Sequence, residues 1–70
     1  MIPLTLAETD KDHIIIKTGG NPEIKKHLET LGFVPGGSVR VISVSGANFI
    51  VCVKESRIAI SREMAEKIMV

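Results

Sequence analysis

The sequence predicts a mainly β fold, a small β-barrel of about five short strands with an inserted α-helix and a short C-terminal helical turn. Three observations support this. The apolar residues are mostly Ile and Val, which favour strands. Short runs of alternating apolar and polar residues recur between turn residues. One segment with helical apolar spacing interrupts them. A closed or nearly closed barrel would also remove exposed strand edges from a chain of 70 residues.

The first elements are predicted from apolar runs and glycines. Residues 1–7 form a short apolar entry segment, in which Leu4 and Leu6 share one face if the segment is extended. Residues 8–12 are polar and predict a turn. A strand is predicted over residues 13–17, around three consecutive isoleucines, and Gly19-Gly20 ends it.

A helix is predicted to follow these glycines. Asn21 is suited to the N-cap, Pro22 to the first helical position, and Glu23 to the first turn, where the helix dipole favours an acid. The helix is expected to end at Leu31. Its predicted buried stripe, spaced i, i+4 and i+7, consists of Ile24, Leu28 and Leu31.

The segment after the helix predicts a helix stop and a tight turn. Gly32 follows the last apolar helical position, where a residue with positive φ closes a helix. Pro35-Gly36 suits the two central positions of a type II turn. Strands are then predicted over residues 38–45 and 48–54, joined as a hairpin around Gly46-Ala47.

The hairpin pattern also predicts which strand is central. Apolar residues occupy both faces of the second arm, which indicates a central or barrel strand. A turn is predicted at Glu55-Ser56, a strand over residues 57–60, and a short helical turn capped by Ser61. The side chains expected to face inward in the hairpin are Val39, Val41, Val44, Phe49, Val51 and Val53.

Composition excludes several classes of function. Net charge is +1, with nine basic and eight acidic residues spread along the chain, so no basic stripe for nucleic acid is present. Phe33 and Phe49 are the only aromatic residues, too few for a stacking platform or a proline-peptide groove. A single cysteine, Cys52, fits a reducing cytosol. The longest apolar run is far too short to span a bilayer. We therefore expect one soluble, cytoplasmic domain over residues 1–70 that is not inserted in a membrane.

No catalytic constellation is visible, so an enzyme is not predicted, and no catalytic, cofactor-binding or metal-ligating residue is assigned. His13, His27 and Cys52 show none of the spacings of a metal site. Asp10 and Asp12 precede His13, a trio that suits a metal ion or an ordinary polar loop. Cys52 is interpreted as a strand residue, because a nucleophile would need a base such as His27 beside it.

Two further features have a structural and a functional interpretation. Gly19-Gly20 before a helix could cradle phosphate, but it lacks the Lys-Ser/Thr of a P-loop, so a strand-to-helix connection is predicted. The polar helix face is either an ordinary solvated surface or a docking surface for an acidic partner. Its residues, our candidate partner-binding set, are Lys25, Lys26, His27, Glu29 and Thr30.

Taken together, these residues resemble the FeoA family, small cytosolic proteins of bacterial ferrous-iron uptake. The motif L-x-x-L-G-x-x-P-G is matched by Leu28, Leu31, Gly32, Pro35 and Gly36. The C-terminal part is similar as well, in Arg57-Ile58-Ala59-Ile60, Ala65 and Ile68-Met69-Val70. One departure concerns Lys26-His27, where the family commonly has Arg. Lysine keeps the charge without the planar fork that pairs bidentately with carboxylates.

The resemblance implies an SH3-like barrel with a helical insertion. It also implies an accessory role for FeoB, the membrane ferrous iron transporter with a cytosolic GTP-binding region. We therefore expect a regulatory binding protein without a cofactor, with the motif as scaffold and the helix face as working surface. The alternative is an iron-sensing or other SH3-like interaction domain that binds a transition metal ion through Asp10, Asp12, His13 or His27. A nucleic-acid partner is not expected, and homo-oligomerisation is left open.

Overall fold

The computed structural model describes residues 1–70 and contains six short strands and two α-helices. A 3₁₀ turn, Leu4–Leu6, precedes them. In chain order the elements are β1 (Asp12–Ile14), β2 (Lys17–Thr18), α1 (Pro22–Leu31), β3 (Ser38–Ser45), β4 (Asn48–Val53), β5 (Ser56–Ser61), α2 (Arg62–Glu66) and β6 (Ile68–Met69).

The strands form two antiparallel sheets that together make a small barrel. Strands β1, β3, β4 and β5 lie side by side in that order, and β2 pairs with β6. The N-terminal segment extends the smaller sheet, because Ile2 and Val70 exchange backbone hydrogen bonds of 2.9 and 2.8 Å. The mainly β barrel with an inserted helix is therefore confirmed, and β4 is an interior strand of the larger sheet, as its apolar faces predict.

The core fills the space between the two sheets and α1. Inward-facing residues of β3, β4 and β5 meet there, in cross-strand pairs such as Val41 with Val51 and Phe49 with Ile60. The twelve buried apolar residues are Leu4, Ile15, Leu28, Phe33, Val39, Val41, Phe49, Val51, Val53, Ile60, Ala65 and Ile68.

Helix α1 begins and ends as its sequence predicts. The Asn21 side chain accepts a hydrogen bond of 2.9 Å from the Ile24 amide, and Pro22 is the first helical residue. At the other end Gly32 has φ of 108°. Its amide donates to the Glu29 carbonyl, and the Phe33 amide donates to the Leu28 carbonyl. This is a Schellman motif, which satisfies carbonyl groups that the last helical turn leaves free.

The predicted type II turn is also present. Gly36 has φ of 87°, and the Gly37 amide donates to the Val34 carbonyl at 2.9 Å, which closes the turn around Pro35-Gly36. The Gly36 amide in addition donates to the carbonyl of Ile15 at 2.8 Å. The turn is therefore fixed to the chain between β1 and β2, and it sets where β3 enters the larger sheet.

The prediction of a single strand over residues 13–17 is wrong. The chain forms two strands in different sheets, and it changes sheet at Ile15 and Ile16. Ile15 is buried in the core, whereas Ile14 and Ile16 are 60% and 51% exposed. An apolar run alone does not show which residue bends, because the bend depends on the partners on either side.

The N-terminal entry segment is not extended throughout. Residues 4–6 form the 3₁₀ turn, so Leu4 and Leu6 do not share a face. Leu4 is fully buried, while Leu6 is 70% exposed. A 3₁₀ turn rotates successive side chains by about 120°, which sends the two leucines in different directions.

Two details of the hairpins differ from the prediction. Val44 is 46% exposed rather than buried, although the register shift between Val41 and Ser43 pairs it with the buried Phe49, because it lies beside the turn that closes the hairpin. The β4–β5 turn consists of Lys54 and Glu55, so Ser56 belongs to β5. Lys54 and Glu55 have φ of 49° and 64°. This conformation favours Asn and Gly, and therefore the Lys-Glu pair gave no signal for it.

Candidate docking surface

The polar face of α1 is fully accessible. Its residues, named the helix face from here on, are Lys25, Lys26, His27, Glu29 and Thr30, and all of them are exposed. The only side-chain hydrogen bond within it runs from Thr30 Oγ1 to the Lys26 carbonyl, at 2.9 Å. Lys25 and Lys26 form no ion pair within the chain. Their ammonium groups are therefore available to an acidic partner.

The end of α1 meets the larger sheet at Lys54. A Cβ placed on Gly32 would lie 3.3 Å from Lys54 Cδ, so the lysine stem passes directly over the glycine. A cation at the C-terminal end of a helix is favoured by the helix dipole. Lys54 thus connects the surface of α1 to the outer surface of the sheet.

An open groove lies on the outer surface of the sheet, beside Lys54. Its volume is about 420 Å³. The residues that line this sheet groove are Asp12, Ser38, Arg40, Cys52, Lys54 and Glu55. Two cations and two acids balance each other in this lining, so the groove has polar character without a dominant charge.

One ion pair organises the groove. Arg40 Nε donates to Asp12 Oδ1 at 3.0 Å, and Arg40 Nη2 donates to Asp12 Oδ2 at 3.1 Å. The two residues are directly opposite each other on β1 and β3. Arginine's planar fork makes this bidentate contact with a carboxylate. The hydrogen bond and charge of Arg40 lower the pKa of Asp12, and Asp12 in turn raises the pKa of Arg40.

The residues considered as metal ligands are not assembled into a site. No group of three His, Cys, Asp or Glu side chains is placed to hold a metal ion. Asp12 is engaged by Arg40, and His13 Nε2 lies 2.9 Å from the Glu8 carbonyl. His27 lies on the exposed surface of α1. The ligand set named for the iron-sensing alternative is therefore not brought together.

The sheet groove was not predicted from the sequence. Asp12 lies in a segment predicted to be a turn, and its partner Arg40 is distant in sequence. Opposite charges on two strands indicate a pair only once the register is known. The charged Lys54-Glu55 pair carried no turn signal either. By contrast, the exposed face of α1 follows directly from helical spacing.

Comparison with known proteins agrees with this architecture. The family model of the FeoA domain matches residues 2–70. An iron uptake regulatory protein, FeoA, has a solved structure with a TM-score of 0.89 and 24% identity, covering 99% of this chain and 93% of that chain. A FeoA solution structure from Chlorobium tepidum has a TM-score of 0.87 and 20% identity, covering 97% of this chain and 67% of that one. A search of curated proteins finds no match.

A third structure adds a description of function for its own protein. Stenotrophomonas maltophilia FeoA, solved with zinc, has a TM-score of 0.85 and 25% identity, covering all of this chain and 89% of that chain. It is described as a procaryotic SH3 domain protein and a candidate bacterial ferrous iron transport activating factor. In the present chain, neither helix has the length and apolar character needed to cross a bilayer. Because the family match extends over nearly all of its residues, the chain belongs to the FeoA family.

Proposed function

We propose that this chain is a cytoplasmic, non-enzymatic accessory protein of ferrous iron uptake. As one FeoA-like domain, it binds the cytosolic GTP-binding region of a FeoB-type membrane transporter and modulates transport or nucleotide turnover. The observation that carries the proposal is the family match over residues 2–70. The description of the S. maltophilia relative as a candidate transport activating factor supports the same role.

The helix face is the proposed contact with the transporter. Lys25, Lys26, His27, Glu29 and Thr30 are exposed, and the two lysines have no acidic partner in the chain. Binding an acidic patch therefore breaks no internal ion pair. Leu28 is buried beneath this face, and the Gly32 cap fixes where the helix ends. The motif residues Leu28, Leu31, Gly32, Pro35 and Gly36 thus act as scaffold for the surface.

The proposal is tested by titrating the transporter's cytosolic region into the labelled protein, with and without a GTP analogue. We expect the charge reversal Lys26→Glu to weaken binding about two- to thirtyfold, since it replaces an exposed attraction of roughly 0.2–1 kcal/mol by a similar repulsion. Stability should change by less than about 0.5 kcal/mol, because the Lys26 side chain is exposed and unpaired.

The matched control is Lys17→Glu, an equal charge change at an exposed residue of β2, outside the helix face. This variant should bind as the unaltered protein does. If Lys26→Glu and Lys17→Glu weaken binding equally, the helix face is not the contact. If no binding occurs with or without nucleotide, and a deletion strain takes up ferrous iron normally, the proposed function is wrong.

A further inference from the structure

Strand β5 lies at the edge of the larger sheet, and one side of it pairs with nothing. It follows β4 in the order of that sheet, and no strand lies beyond it. The two-residue turn at Lys54-Glu55 makes Val53 and Ser56 the hydrogen-bonded pair that closes the hairpin.

Along an antiparallel ladder, hydrogen-bonded residue pairs alternate with pairs that are not hydrogen-bonded. Every second residue of β5 therefore directs its backbone N–H and C=O groups away from β4. Counting from the closing pair, these residues include Arg57 and Ala59, opposite Cys52 and Ile50. Outside the ladders, the backbone hydrogen bonds of the chain involve neither residue. Both residues are exposed.

The edge of β5 carries one of the usual devices against strand addition, the charged side chain of Arg57, and lacks the others. Natural edges are protected by charged side chains, proline, inward-pointing charges, bulges or very short strands. β5 has six residues, contains no proline and pairs with β4 without a break in register. β1, at the opposite edge of the same sheet, has three residues. An extended segment would thus find a regular template at β5.

Charge indicates what kind of segment would fit. On the outer face of the sheet, Asp12, Arg40, Cys52 and Arg57 form one cross-strand row. At the β1 end, Asp12 neutralises Arg40 through two hydrogen bonds. At the β5 end, Arg57 has neither an ion pair nor a side-chain hydrogen bond. A carboxylate on an added strand would complete the row beside Arg57 as Asp12 does beside Arg40.

The other face of the added strand would be apolar. Ile58 points inward between Arg57 and Ala59, and it is only half-buried against the core. A side chain that covers it must be apolar, because a polar group buried there would lack a partner. A second copy of β5 fits poorly. Antiparallel pairing of the free backbone groups of two copies places Arg57 opposite Arg57, Ala59 or Ser61 of the other copy, so both arginines remain without an acid.

We propose that the free edge of β5 receives, as an added strand, an extended segment of a partner protein in which acidic and apolar residues alternate. The inference rests on the proposed function in one respect, since the partner is taken to be the transporter's cytosolic region. Main-chain hydrogen bonds to Arg57 and Ala59 hold the segment, and the alternating side chains select it.

Hydrogen exchange of the full chain, free and with the transporter's cytosolic region, tests the proposal. The Arg57 and Ala59 amides should exchange rapidly in the free protein, and their exchange should slow by a factor of about ten or more in the complex. Ala59→Pro removes one outward donor that the β4 ladder does not use, so the protein should fold and bind about tenfold more weakly. Arg57→Glu should weaken binding by a similar factor. It tests the same edge if the proline variant does not fold. Lys17→Glu is the matched control.

The outcomes separate the two proposals. Protection at Arg57 and Ala59, together with weaker binding by the two β5 variants but not by Lys17→Glu, supports strand addition. Binding that leaves both amides unprotected, or that Ala59→Pro and Arg57→Glu do not affect, overturns strand addition and leaves the proposed function standing. If protection of these amides from exchange rises with the concentration of this chain in the absence of the transporter region, the edge binds a second copy, and strand addition by the partner is also overturned. Absence of any binding overturns the proposed partner and this inference with it.

Discussion

Replacing Gly32 measures how much the helix-ending glycine contributes to the fold. Its φ of 108° lies in the region that side chains disfavour, and the same residue donates one of the two hydrogen bonds of the Schellman motif. Gly32→Ala places a Cβ 3.3 Å from Lys54 Cδ, a mobile methylene that can move aside. The backbone conformation therefore dominates the cost.

The cost is obtained by comparison with a second glycine. Gly19 has no positive φ, and an added Cβ would meet only the Lys67 carbonyl at 3.6 Å, an ordinary contact. Both Gly→Ala changes reduce the entropy of the unfolded chain equally, so this contribution cancels in the difference. What is left is the left-handed strain, about 1–2 kcal/mol. In a domain of this size it corresponds to a difference in Tm of about 4–16 °C.

Urea unfolding of Gly32→Ala and Gly19→Ala, followed by circular dichroism, is the assay. We expect equal m-values and a lower midpoint for Gly32→Ala, and a still lower one for Gly32→Val, whose branched side chain resists positive φ more strongly. If Gly32→Ala and Gly19→Ala unfold at the same midpoint, the cap glycine is not required for its φ and the reasoning is refuted.

Two further predictions concern the β4–β5 turn and the sheet groove. Glu55→Gly relieves the left-handed strain at φ of 64° but raises the conformational entropy of the unfolded chain. The first effect is the larger, so we expect a net stabilisation of about 0.5–1 kcal/mol. An unchanged or lower Tm would contradict this expectation. Arg40 lowers the pKa of Asp12, so the ion pair favours the folded state above the ordinary value of 3.8 and loses this effect as pH falls below it. Arg40→Ala should return the pKa of Asp12 towards that value in a carboxyl NMR titration, whereas an unmoved pKa would show that Arg40 is not its cause.

The helix and the turn after it could be predicted because their signals are local. Asn21 and Pro22 begin α1, and Gly32 ends it, through contacts within a few residues of each one. Pro35-Gly36 presets its turn in the same way. The helix face could likewise be predicted, because a period of 3.6 residues separates Leu28 from its exposed neighbours.

The features that could not be predicted from the sequence depend on contacts between distant segments. Ile15 is where the chain leaves one sheet for the other, and its backbone partners Gly36 and Gly37 lie some twenty residues away. The pairing of Asp12 with Arg40 needs the register of β1 on β3, which the alternating pattern alone does not specify. Lys54-Glu55 occupies a turn that its own residues disfavour, because the packing of the flanking strands outweighs that local cost.

The sequence by itself determined the fold class and the ends of α1, since these follow from local backbone preferences and periodicity, and it carries the motif through which the chain resembles the FeoA family. Only the tertiary structure decided where the first predicted strand divides, how Asp12 meets Arg40 in the sheet groove, and that β5 keeps a free edge beside an unpaired Arg57. The physical reason is that strand order and register are set by pairing between segments distant in sequence. Which strand has a free edge is therefore known only once all the strand neighbours in the sheet are known.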